Sequence, residues 1–126
     1  MLLYVTYGTT DLARARRFYD PTLATLGVVP LREATAEYAY GMPGDADPSF
    51  WIVHPFDGQP ATRGNGTMLA LTAATRAAVD AFHSAALASG GSDEGAPGLR
   101  YSPTFYSCYV RDPDGNKLSA VCDRAE

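Results

Sequence analysis

Few side chains in this 126-residue chain are of the types that perform acid–base or metal chemistry. It has two histidines, His54 and His83, and two cysteines, Cys108 and Cys122, whose spacing matches no metal-binding motif. His54 follows an apolar run, where it could bind a ligand or act as an acid or base near neutral pH. The alternative is a half-solvated residue at the end of a strand. His54 is therefore the candidate catalytic side chain.

Aromatic side chains are the second chemical feature of the sequence. An apolar cavity that carries a few hydroxyl groups is how proteins usually hold small organic ligands. The alternative for each ring is an ordinary place in a sheet core or a dimer contact. No Gly-x-Ser-x-Gly turn, phosphate-binding loop or Cys-x-x-Cys pair is present, so hydrolase, nucleotide-binding and thiol-redox functions have no supporting motif. The aromatic candidates are Tyr4, Trp51, Tyr101, Phe105, Tyr106 and Tyr109.

The composition limits the class of protein. With 46% hydrophobic and 19% charged residues, the chain can bury an ordinary core, and it contains no apolar run long enough to cross a bilayer. Fourteen acidic residues against ten basic ones give a net charge of −4, which disfavours a nucleic-acid partner. The N-terminus lacks the features of a signal peptide. We expect a cytoplasmic protein that binds neither membrane nor nucleic acid.

An internal repeat organises the elements that must position these residues. When the sequence is shifted by 64 residues, Phe18 falls on Phe82. Each copy begins with a β-type run, at residues 2–8 and 67–72, which leads through polar cap residues into an amphipathic helix. The chain is therefore predicted to contain two copies of one structural unit.

The two copies are expected to continue differently after their helices. In the first, Pro21 should interrupt the helix. Three strand-like runs follow, at residues 28–34, 37–42 and 50–54. In the second, a Gly-, Ser- and Pro-rich loop at residues 90–98 leads to a hairpin over residues 104–122. We predict an α+β fold in which two βαβββ modules form a cupped mixed sheet, as one domain with module 1 at about residues 1–57, a linker at 58–66 and module 2 at about 67–126.

Strand periodicity predicts which side chains face the helices and which face the inside of the cup. Leu118 and Ala120 suit the helix side, so Ser119 should face the cup. A hairpin that turns at Asp114 then puts Tyr109 opposite Ser119. The positions expected to face the cup are Tyr4, Thr6, Ile52, His54, Met68, Ala70, Tyr109 and Ser119.

Several motifs occur together in a fixed order and spacing. They are DLARARRFY at residues 11–19 followed by Leu26-Gly27, GNG at 64–66, RAAVDAFH at 76–83 and DPDGN at 112–116. Together they resemble the vicinal oxygen chelate superfamily, which includes glyoxalase I, fosfomycin and bleomycin resistance proteins, and extradiol dioxygenases. The resemblance implies paired βαβββ units that curl into a cup, and a homodimer.

The resemblance also implies where a metal ion would bind. Enzymes of this family hold one divalent ion with His, Glu or Gln side chains from four strands. A divalent ion requires nitrogen or anionic oxygen donors in a defined geometry. Carried over to this sequence, the four positions are Tyr4, Ile52, Met68 and Ser119, none of which is His or Glu. We therefore expect no metal ion and no other cofactor.

Three functions remain open from the sequence. The first, which we expect, is a metal-free protein that binds a small aromatic or amphipathic molecule, similar to the bleomycin-resistance branch. The second is an enzyme of the same family, either a lyase or dioxygenase with atypical metal ligands or a metal-independent enzyme that uses His54 and Tyr109. The third is a protein-interaction or structural role with a vestigial cup. The predicted ligand-binding residues are Tyr4, Thr6, Trp51, Ile52, Met68, Ala70, Tyr109 and Ser119.

Overall fold

The computed structural model describes residues 1–125 and shows two units, each with the element order βαβββ. The first unit contains β1 (Val5–Gly8), α1 (Leu12–Ala24), β2 (Val29–Glu33), β3 (Glu37–Gly41) and β4 (Phe50–Val53). The second contains β5 (Leu69–Thr72), α2 (Arg76–Ala88), β6 (Ser92–Leu99), β7 (Phe105–Arg111) and β8 (Lys117–Asp123). The predicted α+β class and the βαβββ pattern are confirmed.

The opening strand and helix of the two units are equivalent. β1 and β5 begin and end 64 residues apart, and so do α1 and α2, which have 13 residues each. Each helix begins at a polar cap, because the side chains of Asp11 and Thr75 accept hydrogen bonds from the backbone N–H groups of Arg14 and Ala78. Within residues 1–125, neither helix has the length and apolar character that a membrane span requires.

The strands form two four-stranded mixed sheets. The strand order is β1-β4-β3-β2 in the first sheet and β5-β8-β7-β6 in the second, so the two topologies are the same. In each sheet the first and fourth strands of the unit are parallel, and the other neighbours are antiparallel. The expected cupped sheet is thus divided in two, since no backbone ladder joins the two sheets within the described residues. The face of each sheet that points away from its helix is called its open face below.

The apolar core lies on the helix side of the two sheets. Phe18 and Phe82, which the repeat aligns, are both fully buried. They belong to one cluster with Ile52 of β4, Val110 of β7 and Leu118 of β8. Burying an apolar side chain of this size contributes about 1.5–3 kcal/mol relative to leaving it exposed. The helix-facing residues of both units therefore stabilise a shared core.

A buried polar cluster joins the β7–β8 turn to the first unit. The Asp112 carboxylate accepts hydrogen bonds from the Tyr19 hydroxyl at 2.5 Å and from the backbone N–H groups of Asp114 and Asn116, both at 2.9 Å. The Asp114 carboxylate accepts a hydrogen bond from the Thr9 hydroxyl at 2.6 Å. Burial raises the pKa of Tyr19 and of Asp112. This cluster fixes the start of β8 beside the end of β1.

Two local predictions are wrong. α1 continues through Pro21, whose exposed position puts the missing backbone hydrogen bond on the solvent side of the helix. β6 replaces the loop expected at residues 90–98. It is an edge strand that pairs with β7 alone, and register shifts on both sides of Gly95 let it accommodate its glycine and proline residues.

Candidate functional site

A cleft of about 670 Å³ lies on the open face of the second sheet. Tyr109 and Arg111 of β7 line it, and they alternate with Cys108 and Val110, which are fully buried in the core. Successive residues of a strand point to opposite faces, so this alternation assigns the cleft to the open face. The rest of the lining comes from residues 65–68 before β5 and from Glu94, Arg100, Tyr101 and Lys117.

Two cations lie close to the Tyr109 ring. The Arg100 guanidinium carbon is 5.0 Å from the ring centroid, and the Lys117 ammonium nitrogen is 5.4 Å from it. Gly95 on β6 pairs with Tyr109, and a Cβ atom there would lie 2.8 Å from Tyr109 Cδ2 and 3.1 Å from Arg100 Nη2. The absence of a side chain at residue 95 therefore permits the close approach of the ring and the guanidinium.

Hydrogen bonds to the backbone hold Arg100 in this position. Its Nη2 donates to the carbonyl oxygen of Ala96 at 2.6 Å, and its Nη1 donates to the carbonyl oxygens of Gly98 and Ser107. These acceptors are neutral, and no carboxylate of residues 1–125 lies at hydrogen-bonding distance to cancel the positive charge of Arg100. Arg100 therefore supplies a fixed positive charge beside Tyr109.

A second group of charges surrounds Glu94. The Arg111 Nε donates a hydrogen bond to Glu94 Oε1 at 2.5 Å, and its Nη1 donates to the Gly115 carbonyl oxygen at 2.8 Å. The Arg111 guanidinium holds the pKa of Glu94 below its usual value, and the charges of Lys117 and Arg63 lower it further. Glu94 is thus ionised at neutral pH and lies among three cationic side chains.

Ser119 occupies the open-face position between Tyr109 on β7 and Ala70 on β5, which confirms the predicted register of the hairpin. The side chain is fully buried, and its hydroxyl oxygen has no hydrogen-bond partner among the described residues. A buried hydroxyl without a partner costs about 1–3 kcal/mol. Ser119 is therefore an unsatisfied polar group beside the cleft.

The open face of the first sheet carries a different set of side chains. Thr6 pairs with Trp51, and the ring centroids of Tyr4 and Trp51 are 6.4 Å apart in an edge-to-face arrangement. These residues line a cavity of about 300 Å³ with Glu37 and Val53. Tyr4, Thr6 and Trp51 are therefore together, but in a cavity of their own.

The expected direction of Ile52 is wrong. Its side chain is 1% exposed and packs in the helix-side core, so the adjacent Trp51 has the open-face position on β4. The four residues of β4 are all apolar, which leaves no alternation from which the phase could be read. The same error of phase affects His54, two residues after Ile52, which the same strand periodicity predicts to face the cup.

His54 is exposed and lies just after the end of β4. Its Nδ1 is 3.1 Å from the Thr9 carbonyl oxygen, and it lines a cavity of about 450 Å³ with residues of the 55–60 segment. Because a carbonyl oxygen only accepts hydrogen bonds, Nδ1 carries the proton and Nε2 is left as an acceptor in the neutral ring. His54 and Tyr109 line different cavities.

The predicted ligand-binding residues thus lie in separate cavities and in the core. Met68 and Tyr109 line the cleft of the second sheet, and Ser119 lies beside it. Ala70 lines a neighbouring cavity of about 380 Å³ with Thr72, Phe105 and Val121. Tyr4, Thr6 and Trp51 belong to the first sheet, and Ile52 to the core.

The sequence motifs do not predict the charged residues of the cleft. Arg111 lies two residues after Tyr109, and Lys117, the only lysine in the chain, lies two residues before Ser119. The periodicity that placed Tyr109 and Ser119 on one face therefore applies to these two cations as well. Arg100 carried no such signal, because it follows a segment that was predicted to be a loop.

The residues at the four metal-ligand positions offer a poor donor set. Tyr4, Met68 and Ser119 supply a phenol, a thioether and a hydroxyl, and the fourth strand supplies either the indole of Trp51 or the buried Ile52 side chain. A divalent ion of this kind of site prefers imidazole and carboxylate donors. Within residues 1–125, no three His, Cys, Asp or Glu side chains come together as a metal site.

Comparison with known proteins identifies the family. The model of the Glyoxalase/Bleomycin resistance protein/Dioxygenase superfamily matches residues 2–119, so the chain belongs to this superfamily. The chain is 42% identical to a glyoxalase/bleomycin resistance protein from Albidiferax ferrireducens T118, with a TM-score of 0.83 and 94% of each chain covered. No curated protein matches the sequence.

More distant solved structures share the fold. A family enzyme from Burkholderia phytofirmans PsJN has 19% identity and a TM-score of 0.74, with 98% of each chain covered. The fosfomycin resistance protein FosX from Listeria monocytogenes has 16% identity and a TM-score of 0.68, with 96% of this chain and 91% of that chain covered. At these identities the similarity shows a shared fold alone.

Proposed function

We propose that this protein binds a small organic molecule in the cleft of the second sheet and that it does so without a metal ion. The observation that carries the proposal is the lining of the cleft. The aromatic ring of Tyr109 and the thioether of Met68 line the cleft together with several hydrogen-bond donors. Clefts that combine apolar surface with a few fixed polar groups are typical ligand sites. The volume of about 670 Å³ suits a ligand of ordinary organic size.

The metal-free part of the proposal is supported by the donor set. Replacing imidazole and carboxylate with phenol, thioether and hydroxyl removes the neutral nitrogen and anionic oxygen atoms that divalent ions prefer. Ser119 illustrates the change, because its position faces the cleft but its fully buried hydroxyl is too short and too enclosed to replace a carboxylate ligand. The side chains of this chain then bind and orient the ligand directly.

Two measurements test the proposal together. Elemental analysis after re-equilibration with zinc, nickel, manganese and ferrous iron should show no stoichiometric metal. A broad ligand screen by thermal shift and NMR should yield saturable binders that perturb Tyr109, and Tyr109→Ala should weaken them at least tenfold. Trp51→Ala, on the other open face, is the matched control and should leave those affinities unchanged. Stoichiometric metal, or binders that respond to Trp51→Ala alone, would contradict the proposal.

A second candidate function is a metal-independent enzyme that uses His54. It is favoured by the hydrogen bond between His54 Nδ1 and the Thr9 carbonyl oxygen, which fixes the tautomer and leaves Nε2 as a base. The cavity of about 450 Å³ beside this ring would hold the substrate. Turnover that His54→Ala abolishes and Tyr109→Ala preserves would favour this function over the first.

We also propose that the protein is a homodimer in the cytoplasm. Members of the family are commonly oligomeric, and residues Met1, Leu2 and Leu3 expose 118%, 75% and 79% of their reference surface, which a second copy would cover. Cys108 and Cys122 are free and buried, as expected in a reducing compartment. Light scattering coupled to size-exclusion chromatography tests the dimer, and a monomer at micromolar concentration would contradict it.

A further inference from the structure

We propose that the ligand of the cleft is an organic anion, whose acidic group binds between Arg111 and Lys117 in place of the Glu94 carboxylate. This inference rests on the proposed function of the cleft. It goes further by assigning the charge of the ligand, the residues that recognise that charge, and an internal carboxylate that occupies the position when no ligand is bound.

The charge of the cleft is opposite to that of the chain. The whole chain has a net charge of −4, yet the cleft is lined by the cations Arg100, Arg111 and Lys117 and by a single acidic residue, Glu94. Arg63 lies close enough to lower the pKa of Glu94 as well. Local positive potential in an acidic protein attracts an anion to this cleft and keeps it there. A neutral ligand would leave these charges unused.

The cations are not saturated by the protein itself. Within residues 1–125, the Lys117 ammonium makes neither an ion pair nor a hydrogen bond, and its closest described interaction is with the Tyr109 ring. Arg111 uses Nε and Nη1 for Glu94 and Gly115, so its Nη2 is available to a ligand. An acidic group with two oxygen atoms fits a guanidinium and a neighbouring ammonium.

The acidic group of a ligand displaces the Glu94 carboxylate from Arg111. In the described residues it has one hydrogen-bond partner, Arg111, and its side chain is 37% exposed. An exposed ion pair of this kind contributes little to stability, so a ligand carboxylate or phosphate replaces the Glu94 carboxylate at small cost. Glu94 also lies at a register shift of the edge strand β6, between Asp93 and Gly95. The internal carboxylate therefore marks the anion position.

The rest of the lining suits an aromatic body attached to the acidic group. Tyr101 and Met68 are 88% and 43% exposed, and they line the cleft together with the Tyr109 ring. Rings and thioethers pack well on flat apolar groups. Ser119, whose buried hydroxyl has no partner among the described residues, pairs with Tyr109 on the same face. The chemical class is thus an aromatic carboxylate or aromatic phosphate.

The test is a titration of the protein with pairs of acidic and neutral compounds in a buffer free of polyvalent anions. Aromatic carboxylates and phosphates, with 2-naphthoate and phenyl phosphate as the first members, are each matched with a neutral amide or alcohol, and inorganic phosphate probes the acidic group alone. Dissociation constants come from NMR. We expect the acids to bind at least tenfold more tightly than their neutral counterparts and to weaken as salt is added.

Variants of the charged residues distinguish the mode of binding. Glu94→Gln should tighten the acids about threefold to tenfold, because the competing carboxylate is gone, whereas Lys117→Gln should weaken them about fivefold or more. Glu33→Gln is the matched control and should leave the affinities unchanged, because Glu33 lies on the equivalent edge strand β2 and also pairs with an arginine, Arg16 of α1. Bound acid should also protect Lys117, the only lysine, from acetylation in the unmodified protein.

The outcomes separate this inference from the proposed function. Two results would overturn the anion assignment while the cleft stays a binding site. The first is equal affinity of the cleft for the acids and for their neutral counterparts. The second is that neither Glu94→Gln nor Lys117→Gln changes the affinity for the acids and that bound acid leaves Lys117 reactive towards acetylation. Binding of neutral compounds alone would do the same. If no compound of either charge perturbs the cleft, both the inference and the proposed function are wrong.

Discussion

The two βαβββ units have the same topology, yet their open faces differ in charge and size. The first sheet presents Tyr4 and Trp51 around a cavity of about 300 Å³ with one acidic residue, Glu37, in its lining. The second presents Arg111 and Lys117, with one further arginine, around a cleft of about 670 Å³. A single architecture thus carries one small cavity without a cation and one larger cationic cleft.

The difference shows which positions packing controls. On the helix side, Phe18 and Phe82 occupy equivalent positions in the two units and are equally buried, because both must fill the core. On the open face no such demand exists, so the two units could acquire different side chains. The connections differ too, since the β7–β8 turn is anchored to the first unit through Asp112, while Asp45 in the β3–β4 connection accepts a local hydrogen bond from the Met42 N–H.

The largest effect is expected at the connection between the units. Asp112→Ala removes the acceptor for the Tyr19 hydroxyl and for two backbone N–H groups, so the free energy of unfolding should fall by about 3 kcal/mol or more. Asp45→Ala, at the exposed counterpart, should cost less than about 1 kcal/mol. Urea denaturation measures both. Equal losses would show that the two connections are equivalent after all.

The cationic face can be disturbed through its glycine. Gly95→Ala places a Cβ atom 2.8 Å from the Tyr109 ring, and moving the ring should cost about 1–3 kcal/mol of stability and alter the tyrosine signals in NMR. Gly98→Ala is the control on the same strand, because the nearest atoms to its Cβ position are 4.0 Å away. An equal loss of stability in the Gly98 variant would contradict a specific role for Gly95.

Ser119 tests whether the cleft face is built for stability. Ser119→Ala removes a buried hydroxyl that has no partner, so the ligand-free protein should gain up to about 1 kcal/mol in its free energy of unfolding. Ser107→Ala should instead cost about 0.5–1 kcal/mol, since that equally buried hydroxyl contacts Arg100 and Tyr109 at 3.5 Å. A loss of stability in the Ser119 variant would show that its hydroxyl is satisfied in solution.

The smallest effect concerns the pH dependence of the Glu94–Arg111 pair. Because the pKa of Glu94 is lowered by Arg111 from its usual 4.5, the ionised pair stabilises the fold above that pH and the contribution is lost as the pH falls through the lowered pKa. Thermal unfolding of the wild-type protein and Glu94→Gln should therefore differ by about 1 °C at pH 7, and the difference should vanish in acid. If the difference between the two unfolding temperatures grew towards acid pH, the predicted sign of the pH dependence would be wrong.

Sequence periodicity predicted correctly which strand residues face the core where a turn or an alternation of apolar and polar residues determined it. The DPDGN turn fixes the β7–β8 register, so the prediction that Tyr109 lies opposite Ser119 is confirmed. It failed where the strand is apolar throughout, as at Ile52, and where tertiary pairing outweighs local preference, as in β6. The location of a site on one sheet rather than in a cup shared by both could not be predicted from either pattern.

The sequence by itself determined the α+β class, the duplication and the opening strand and helix of each unit, because capping, turn chemistry and periodicity act over a few neighbouring residues. Only the tertiary structure decided that the cationic Arg63, Arg111 and Lys117 converge around Glu94 and that Arg100 lines the same cleft. Their distances depend on how β6, β7 and β8 pair and on which face the helix leaves uncovered. Electrostatic potential is the sum over charges close in space, so the charge of the cleft follows from packing rather than from chain order.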